Sequence, residues 1–402
     1  MNKEIIVEPL FVKSFQCIGS ACRDSCCGGW SITLDKPSTK RYLKSQSIAV
    51  KNIASEHIVL TKQTPQNWGY MKLNTEGNCA FLDEQKLCTI QKNMGSKALS
   101  HTCSTYPRRK QTYKLDVESS LELSCPEAAR LLLTLPQAMR LDKRESAQIT
   151  SLASPARDQS KQLINLMCSL LVQQAGSEVN EGLYAIAMLF LSLDKLSADN
   201  EDDKLAQLES KFGDIMAALE AGQLGQKIEQ IKPDYQLQWS LLMLIQVFLE
   251  SRPTTRGLPR LRHFVGQLLF LQTQSIDDGD VVTSMQRLDD VWQQQVLPWL
   301  RERPHLMSNL MQYRIWHDQF PGYAGRSALS CLYLLTAEWF LIKSLIAAQV
   351  AVNGQLDEDT VIDIVYSFHT ITKHNSTVME GFFKRIDKVK VNDDLSLLYL
   401  LK

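Results

Sequence analysis

The sequence predicts a mainly α-helical protein in which a cysteine-rich, loop-rich N-terminal module, built around a metal or cluster, packs on an α-helical body. Two observations lead to this fold class. Eight of the ten cysteines lie between residues 17 and 125, where glycine, proline and other turn residues interrupt every long apolar pattern. After residue 126, apolar residues recur at three- and four-residue spacing, as on one face of a helix. We therefore expect a metal or cluster module over residues 1–130 and an α-helical domain over residues 131–402.

The composition is that of an ordinary globular protein. The chain has 402 residues, of which 44% are hydrophobic and 22% are charged, and its 44 Lys and Arg balance its 44 Asp and Glu. The charges divide unevenly, because residues 1–125 carry 17 Lys and Arg against 11 Asp and Glu, a net +6, and the remainder therefore carries −6. The basic residues are spread along the front part rather than clustered, so no nucleic-acid partner is expected.

Charge placement also bears on localisation. The N-terminus carries acidic residues at positions 4 and 8, which does not fit a secretory signal. The most apolar long stretch, Ala328–Val352, contains Glu338 and Lys343 near its middle, and this predicts a buried helix rather than a membrane span. We expect no membrane insertion and a cytoplasmic protein, whose thiols stay reduced.

Few regular elements are predicted in the front part and many in the body. The front part has one predicted helix, Lys92–His101, and one predicted strand, Tyr113–Val117. Pro126-Glu127 is typical of a helix start, and Asp357 with Thr360 is expected to cap the last helix. The body has eight further predicted helices: Gln159–Gln174, Glu181–Leu196, Lys204–Glu220, Tyr235–Glu250, Arg260–Thr273, Val281–Trp299, Ala328–Val352 and Asp357–His374.

The front cysteines indicate a metal site. So many thiols in a reducing compartment favour a metal or iron–sulfur site, with core packing and disulfides as the alternatives. Cys168 and Cys331 each lie in an apolar helix and are interpreted as small buried hydrophobes. The eight candidate ligands are Cys17, Cys22, Cys26, Cys27, Cys79, Cys88, Cys103 and Cys125.

The residues alone leave the kind of metal open. Structural zinc usually has paired ligands two to four residues apart in each half, whereas here only the group from Cys22 to Cys27 is tight. Cys125-Pro126 is similar to the Cys-Pro that ends a ferredoxin ligand run, and thiolates from distant segments suit a [4Fe–4S] cluster. Gly19, Gly28 and Gly29 flank the tight group and would let the backbone approach a cluster closely.

Several of these segments together resemble one family, the flagellin lysine N-methyltransferase (FliB) family. A wider set of small proteins, described as zinc- or iron-chelating, shares the front part of the pattern, and residues Asn309 to Pro321 are similar to the family's C-terminal half. The segments that carry the resemblance are Cys22-Arg-Asp-Ser-Cys-Cys-Gly-Gly-Trp30, Cys79-Ala-Phe-Leu-Asp83, Ser100-His-Thr-Cys-Ser-Thr-Tyr-Pro-Arg108 and Leu123-Ser-Cys-Pro-Glu-Ala-Ala129.

The resemblance implies methyl transfer from S-adenosylmethionine to lysine side chains of flagellin, in a protein that carries a [4Fe–4S] cluster. Flagellin is then the protein partner, and a reductant protein would be a second one if the cluster delivers electrons. No strand followed by a Gly-x-Gly turn is evident, so a Rossmann-type nucleotide site is not supported. Cys22-x3-Cys26 begins the triplet of most radical S-adenosylmethionine enzymes, but position 29 is glycine and the extra cysteine is Cys27.

Five polar or aromatic residues inside these motifs are candidates for the reaction. A lysine amine must lose its proton before it attacks a methyl sulfonium, which calls for a carboxylate or phenolate nearby. Asp24, Asp83 and Tyr106 are the catalytic candidates. Trp30 and Arg108 are the cofactor-binding candidates, Trp30 through cation–π contact. Two competing functions stay open: a non-catalytic zinc- or iron-binding interaction protein, and an iron–sulfur electron-transfer protein.

Overall fold

The structure is a computed structural model and confirms a mainly helical protein. It describes residues 3–149, 154–193, 195, 201–274, 281–323, 325–373, 376–391 and 393–402. The front part contains β1 (Lys3–Pro9), α1 (Leu10–Lys13), β2 (Thr33–Leu34), α2 (Lys36–Leu43), α3 (Ile48–His57), β3 (Ile58–Leu60), β4 (Gly69–Met71), α4 (Thr89–Met94) and α5 (His101–Thr105), then β5 (Arg108–Thr112), β6 (Asp116–Leu121), α6 (Pro126–Thr134) and β7 (Leu141–Ile149).

Two predictions for the front part are wrong. The predicted helix Lys92–His101 is broken into short pieces, because Gly95 has a φ of +80° and ends α4. The predicted strand Tyr113–Val117 covers the turn between β5 and β6 and only the start of β6. The predicted helix start at Pro126 is confirmed, since α6 begins there with Glu127 in its first turn.

A four-stranded sheet joins sequence-distant strands in the order β5-β6-β1-β7. The central strand β1 runs parallel to β6 and antiparallel to β7. Because β7 follows residue 130, this sheet takes strands from both sides of the boundary expected from the sequence. A smaller sheet, in the order β2-β4-β3, has its own core of residues between 32 and 98, including Leu34, Tyr42 and Phe81.

The helical body packs around a larger core that begins with Phe11 and Leu121 and continues to the C-terminus. All eight helices predicted there are confirmed as helical regions, and α10, α15 and α18 are additional. Two of the predicted helix ends, Leu196 and His374, lie outside the described residues. The body helices are α7 (Gln159–Ala175), α8 (Val179–Leu193), α9 (Glu201–Glu220), α10 (Gln223–Glu229), α11 (Tyr235–Glu250), α12 (Leu258–Gln274), α13 (Val281–Val291), α14 (Leu297–Arg301), α15 (His305–His317), α16 (Ala328–Asn353), α17 (Glu358–Thr372) and α18 (Ser376–Asp387).

Local chemistry explains two of these helix boundaries. Between α13 and α14 the chain forms a π-helical turn, Trp292–Val296, ahead of Pro298. Proline has no N–H to continue the α-helical hydrogen bonds, so the helix widens before it. At the start of α17, the Thr360 amide donates to the Asp357 carboxylate at 2.7 Å, which confirms the predicted cap.

Helix α16 is long and apolar enough to cross a membrane by length and composition, and its most apolar window is wholly buried inside the fold. Its Glu338 is almost completely buried and pairs with Arg314 of α15 and with Lys373 after α17. Arg314 also contacts Asp318 at 2.6 Å. Buried charges persist only when they are paired in this way, so this network fixes α15, α16 and α17 relative to one another.

His317 at the end of α15 connects the helical body to the four-stranded sheet. Its Nδ1 lies 2.7 Å from the Ser120 hydroxyl of β6, and its Nε2 lies 3.1 Å from Arg109 Nη1 of β5. Burial is the largest cause that lowers the pKa of His317, to about 3 from 6.5, and the imidazole is therefore neutral in the folded protein.

We predict that His317 makes the protein less stable in acid. Because the pKa of His317 is lower in the folded state, the imidazole binds a proton in the unfolded chain but not in the folded protein as the pH falls from 6.5 towards 3. Each pH unit within this window then removes about 1.4 kcal/mol of unfolding free energy. The charged groups that face the imidazole are Arg109, Arg314, Asp318 and Lys373, and Glu122, whose pKa burial raises to about 7, faces it as well.

Urea unfolding at a series of pH values would measure this effect. His317→Gln should have a shallower loss of stability between pH 6.5 and 4 than the wild type. His263→Gln replaces an exposed histidine of α12 and should keep the wild-type slope. Equal slopes for His317→Gln and the wild type would contradict the assignment.

Candidate functional site

Backbone hydrogen bonds bring three of the cysteine-bearing segments together. The Cys79 amide donates to the Cys27 carbonyl at 2.7 Å. Leu82 and Cys88 then form an isolated β-bridge, and the Thr89 amide donates to the Phe81 carbonyl at 2.7 Å. The loop between residues 79 and 88 therefore folds back on itself beside Cys27.

The cysteine side chains lie close enough to influence one another's charge. Burial is the main cause that raises the pKa of Cys79, to about 12, and of Cys103, to about 11, and Cys88 and Cys26 act on both through charge. Burial is also the main cause that raises the pKa of Cys125, and Cys22 and Cys26 both raise it further through charge. Cys26 is therefore shared by two groups of neighbouring thiols.

The donors suit a thiolate-bound metal or cluster in kind, but not in ligand geometry. All ten cysteines are free thiols, so the disulfide alternative has no support here. Thiolates are the ligands that zinc and iron–sulfur clusters prefer. Within the described ranges, however, no three His, Cys, Asp or Glu side chains converge as a metal site would require.

Arg256, in the loop before α12, extends from the body into the cysteine segments. It is only 8% exposed. Its Nη2 donates to the Ser124 carbonyl at 2.7 Å and to the Tyr106 hydroxyl at 3.2 Å, and its Nη1 lies 3.4 Å from the Asp24 carbonyl. One guanidinium thus joins three sequence-distant segments.

Gly29 makes room for this arginine. Its φ is +78°, a conformation that L side chains rarely adopt. A Cβ at this position would lie 2.3 Å from the Arg256 amide nitrogen and 2.5 Å from Arg256 Cβ. The backbone of the tight cysteine segment therefore lies directly against the body, and only glycine fits there.

Three of the five predicted polar or aromatic candidates meet around Arg256. The Tyr106 hydroxyl lies 3.0 Å from the Ser124 hydroxyl, and burial raises the pKa of Tyr106. The rings of Tyr106 and Trp30 are 6.0 Å apart, and the Trp30 indole donates to the Cys26 carbonyl at 2.8 Å. Asp24 joins the group through its carbonyl, which lies 3.4 Å from Arg256 Nη1, and its Oδ2 is buried without a hydrogen bond from any described residue.

The other two candidates lie elsewhere. The Asp83 carboxylate accepts hydrogen bonds from the amides of Gln85 and Leu87 at 3.0 and 2.9 Å, so it stabilises its own turn. Arg108 lies on the exposed strand β5, with its guanidinium 5.0 Å from the ring of Phe15. Neither residue is brought to the group around Arg256.

Charged residues that the sequence analysis did not single out complete this region. Asp363 of α17 accepts from Arg23 at 3.0 Å and from Arg260 at 2.7 Å, and Arg23 also pairs with Asp359 at 2.5 Å. The sequence gives little indication that Arg256 belongs to this region. Arg256-Gly257 lies in a short loop between two predicted helices, and nothing in the sequence links Arg256 to its partners, which are more than 130 positions away.

Comparison with known proteins places the chain among lysine N-methylases. Residues 165–400 match a family model described as the FliB lysine N-methylase C-terminal domain. The whole chain is 40% identical to the whole of a Lysine-N-methylase of Salmonella choleraesuis strain SC-B67, and 39% identical to the whole of the one from Salmonella typhimurium strain LT2. It is also 51% identical, over 36% of its length and 87% of the relative's, to the Flagellar biosynthetic protein FliU of Salmonella muenchen.

No solved structure matches the chain. The matched C-terminal region contains Arg256, which donates to the Ser124 carbonyl, and Asp363, which pairs with Arg23. The full-length identity extends the match to the front segments as well. The resemblance seen in the sequence and the predicted class of enzyme, a lysine N-methyltransferase, are therefore confirmed, and the chain belongs to the FliB lysine N-methylase family.

Proposed function

We propose that this protein methylates lysine side chains of flagellin in the cytoplasm, with S-adenosylmethionine as methyl donor and a [4Fe–4S] cluster bound by the front cysteines. The identity to two proteins named Lysine-N-methylase over the full length of both chains carries the proposal. The flagellar name of a third relative supports flagellin as the substrate. Zinc is the alternative metal.

The thiols around Cys26 are the proposed ligands. Cys79, Cys88 and Cys103 interact with Cys26 through charge, and Cys27 is tied to Cys79 through its carbonyl. A four-thiolate set drawn from these five residues would match the usual ligation of such a cluster.

The group around Arg256 is the proposed reaction site, and each of its members has a role. S-adenosylmethionine supplies a methyl group activated by a positive sulfonium. The Trp30 ring offers a face that attracts such a cation. The buried Asp24 Oδ2 accepts no hydrogen bond from a described residue, so it can accept one from an ammonium or hydroxyl group. Its proposed role is to orient the incoming lysine. Arg256, Tyr106 and Ser124 hold these groups in place through their mutual hydrogen bonds.

The activity has a direct test. Anaerobically purified, cluster-loaded protein is incubated with S-adenosylmethionine, a reductant and purified flagellin, and the flagellin is analysed by peptide mass spectrometry. We expect lysine peptides whose mass increases by one methyl in place of one hydrogen. Reactions that omit S-adenosylmethionine or contain heat-denatured enzyme are the controls. Unmodified flagellin in every loaded reaction would reject the proposed function.

The metal site has a separate test, which does not depend on turnover. We expect Cys26→Ala to lose most of its iron and acid-labile sulfide, together with the absorbance of the cluster, because Cys26 is shared by both groups of thiols. Cys331→Ala, which replaces a buried thiol in α16, is the matched control and should keep the wild-type iron content. Stoichiometric zinc without sulfide in the wild type would favour the zinc alternative instead.

A further inference from the structure

Strand β5 forms an exposed edge of the four-stranded sheet. All five of its residues, Arg108–Thr112, are exposed, and within the described parts of the chain it pairs only with β6. Open edges of this kind are usually blunted or covered in native proteins, because they can pair with another chain. Here the strand is regular over its whole length, with no bulge in its register with β6.

The register of the ladder shows which backbone groups face outward. The Tyr113 amide donates to the Asp116 carbonyl, and the Glu122 amide donates to the Pro107 carbonyl, both at 2.8 Å. Hydrogen-bonded pairs alternate along an antiparallel ladder, so the odd-numbered residues of β5 bond to β6. The N–H and C=O groups of Arg108, Lys110 and Thr112 therefore point away from the sheet.

Three of the five side chains of this edge are basic, and two of these three have no acidic partner among the described residues. Arg109 lies 3.8 Å from the Glu122 carboxylate and 3.1 Å from His317. Arg108 stacks over Phe15, and across the described ranges no carboxylate lies within ion-pair distance of Arg108 or Lys110. Successive side chains alternate between the faces of a strand, so Arg108 and Lys110 present their charges on one face. They would attract acidic side chains of an added strand.

The first residue of this edge is also close in sequence to Tyr106, a member of the proposed reaction site. Tyr106, whose hydroxyl bonds Arg256 and Ser124, precedes Arg108 by two residues. Two residues of chain span at most roughly 7 Å. A lysine that lies two or three residues beyond the end of a segment paired with β5 would therefore have the reach to enter the group around Arg256.

We propose that the outer edge of β5 binds an extended, acidic segment of the protein substrate by strand addition, and so presents a neighbouring lysine to the site around Arg256. Backbone hydrogen bonds to Arg108, Lys110 and Thr112 provide affinity for any extended segment, and the charges of Arg108 and Lys110 select an acidic one. This inference rests on the proposed function for the identity of the substrate.

Hydrogen exchange with residue resolution tests the contact without requiring turnover. With purified flagellin as the probe, we expect the amides of Arg108, Lys110 and Thr112 to exchange fast in the free enzyme and slowly in the complex. The amides of Arg109 and Gln111 already bond to β6 and serve as an internal control that changes little. Flagellin that is methylated while all five amides exchange as in the free enzyme would overturn the inference.

Substitutions give the second arm of the test. Lys110→Pro removes one outward N–H and leaves the ladder with β6 intact, and Lys110→Glu reverses the charge. Both should raise KM for flagellin by about tenfold with kcat unchanged, because they weaken binding and not the reaction. Lys51→Glu makes the same charge change on α3 and should keep the wild-type KM.

The two arms separate failure of the inference from failure of the proposed function. Wild-type KM in both Lys110 variants would overturn the inference and leave the methylation activity in place. Protection of the three outward amides by flagellin, without any methylation by the wild type, would support the binding edge and reject the proposed reaction.

Discussion

The structure depends most on the burial of the Arg256 guanidinium between the helical body and the cysteine segments. A buried cation is costly unless its donors are satisfied. Here the two terminal nitrogens have partners from three separate segments, the carbonyls of Asp24 and Ser124 and the hydroxyl of Tyr106, whereas Nε has none among the described residues. If any of these segments moved away, the charge would lose hydrogen bonds in a place that water does not reach. Gly29 allows the close approach, since any side chain at this position would occupy the space of Arg256.

The other contacts between these parts of the chain are weaker individually. The ion pairs that Arg23 makes with Asp359 and Asp363 are partly exposed to solvent, and such pairs contribute at most about 1 kcal/mol each. They align α17 with the tight cysteine segment but do not replace the Arg256 contact. The consequence is that residues of the family's C-terminal domain lie directly against the front cysteine segments, as the proposed site requires.

Much of the fold is readable from the sequence, and the exceptions have physical reasons. Helices with one apolar face, the Asp357 cap and the start of α6 follow from local patterns. Strands β1 and β7 were missed because their pairing is between residues more than 130 positions apart. Helix α15 was missed because nearly all its sides are buried, and its Ser308 and Asn309 are satisfied by backbone carbonyls of other helices. In the site, the motifs identified Asp24, Trp30 and Tyr106, whereas the partner that joins them, Arg256, comes from a loop with no local signal.

Hydrogen exchange in two glycine variants tests most directly whether the contact with Arg256 fixes the cysteine segments. Gly29 and Gly222 both have a positive φ, +78° and +67°, but a Cβ at Gly222, between α9 and α10, would meet nothing within 4 Å. Both Gly29→Ala and Gly222→Ala therefore carry the strain of a positive φ, about 1–2 kcal/mol, and only Gly29→Ala displaces Arg256. We expect faster exchange of residues 22–30 and 101–107 in Gly29→Ala, with α16 still protected, and wild-type exchange of those two segments in Gly222→Ala. Equal exchange of those two segments in both variants would contradict the dependence on Arg256.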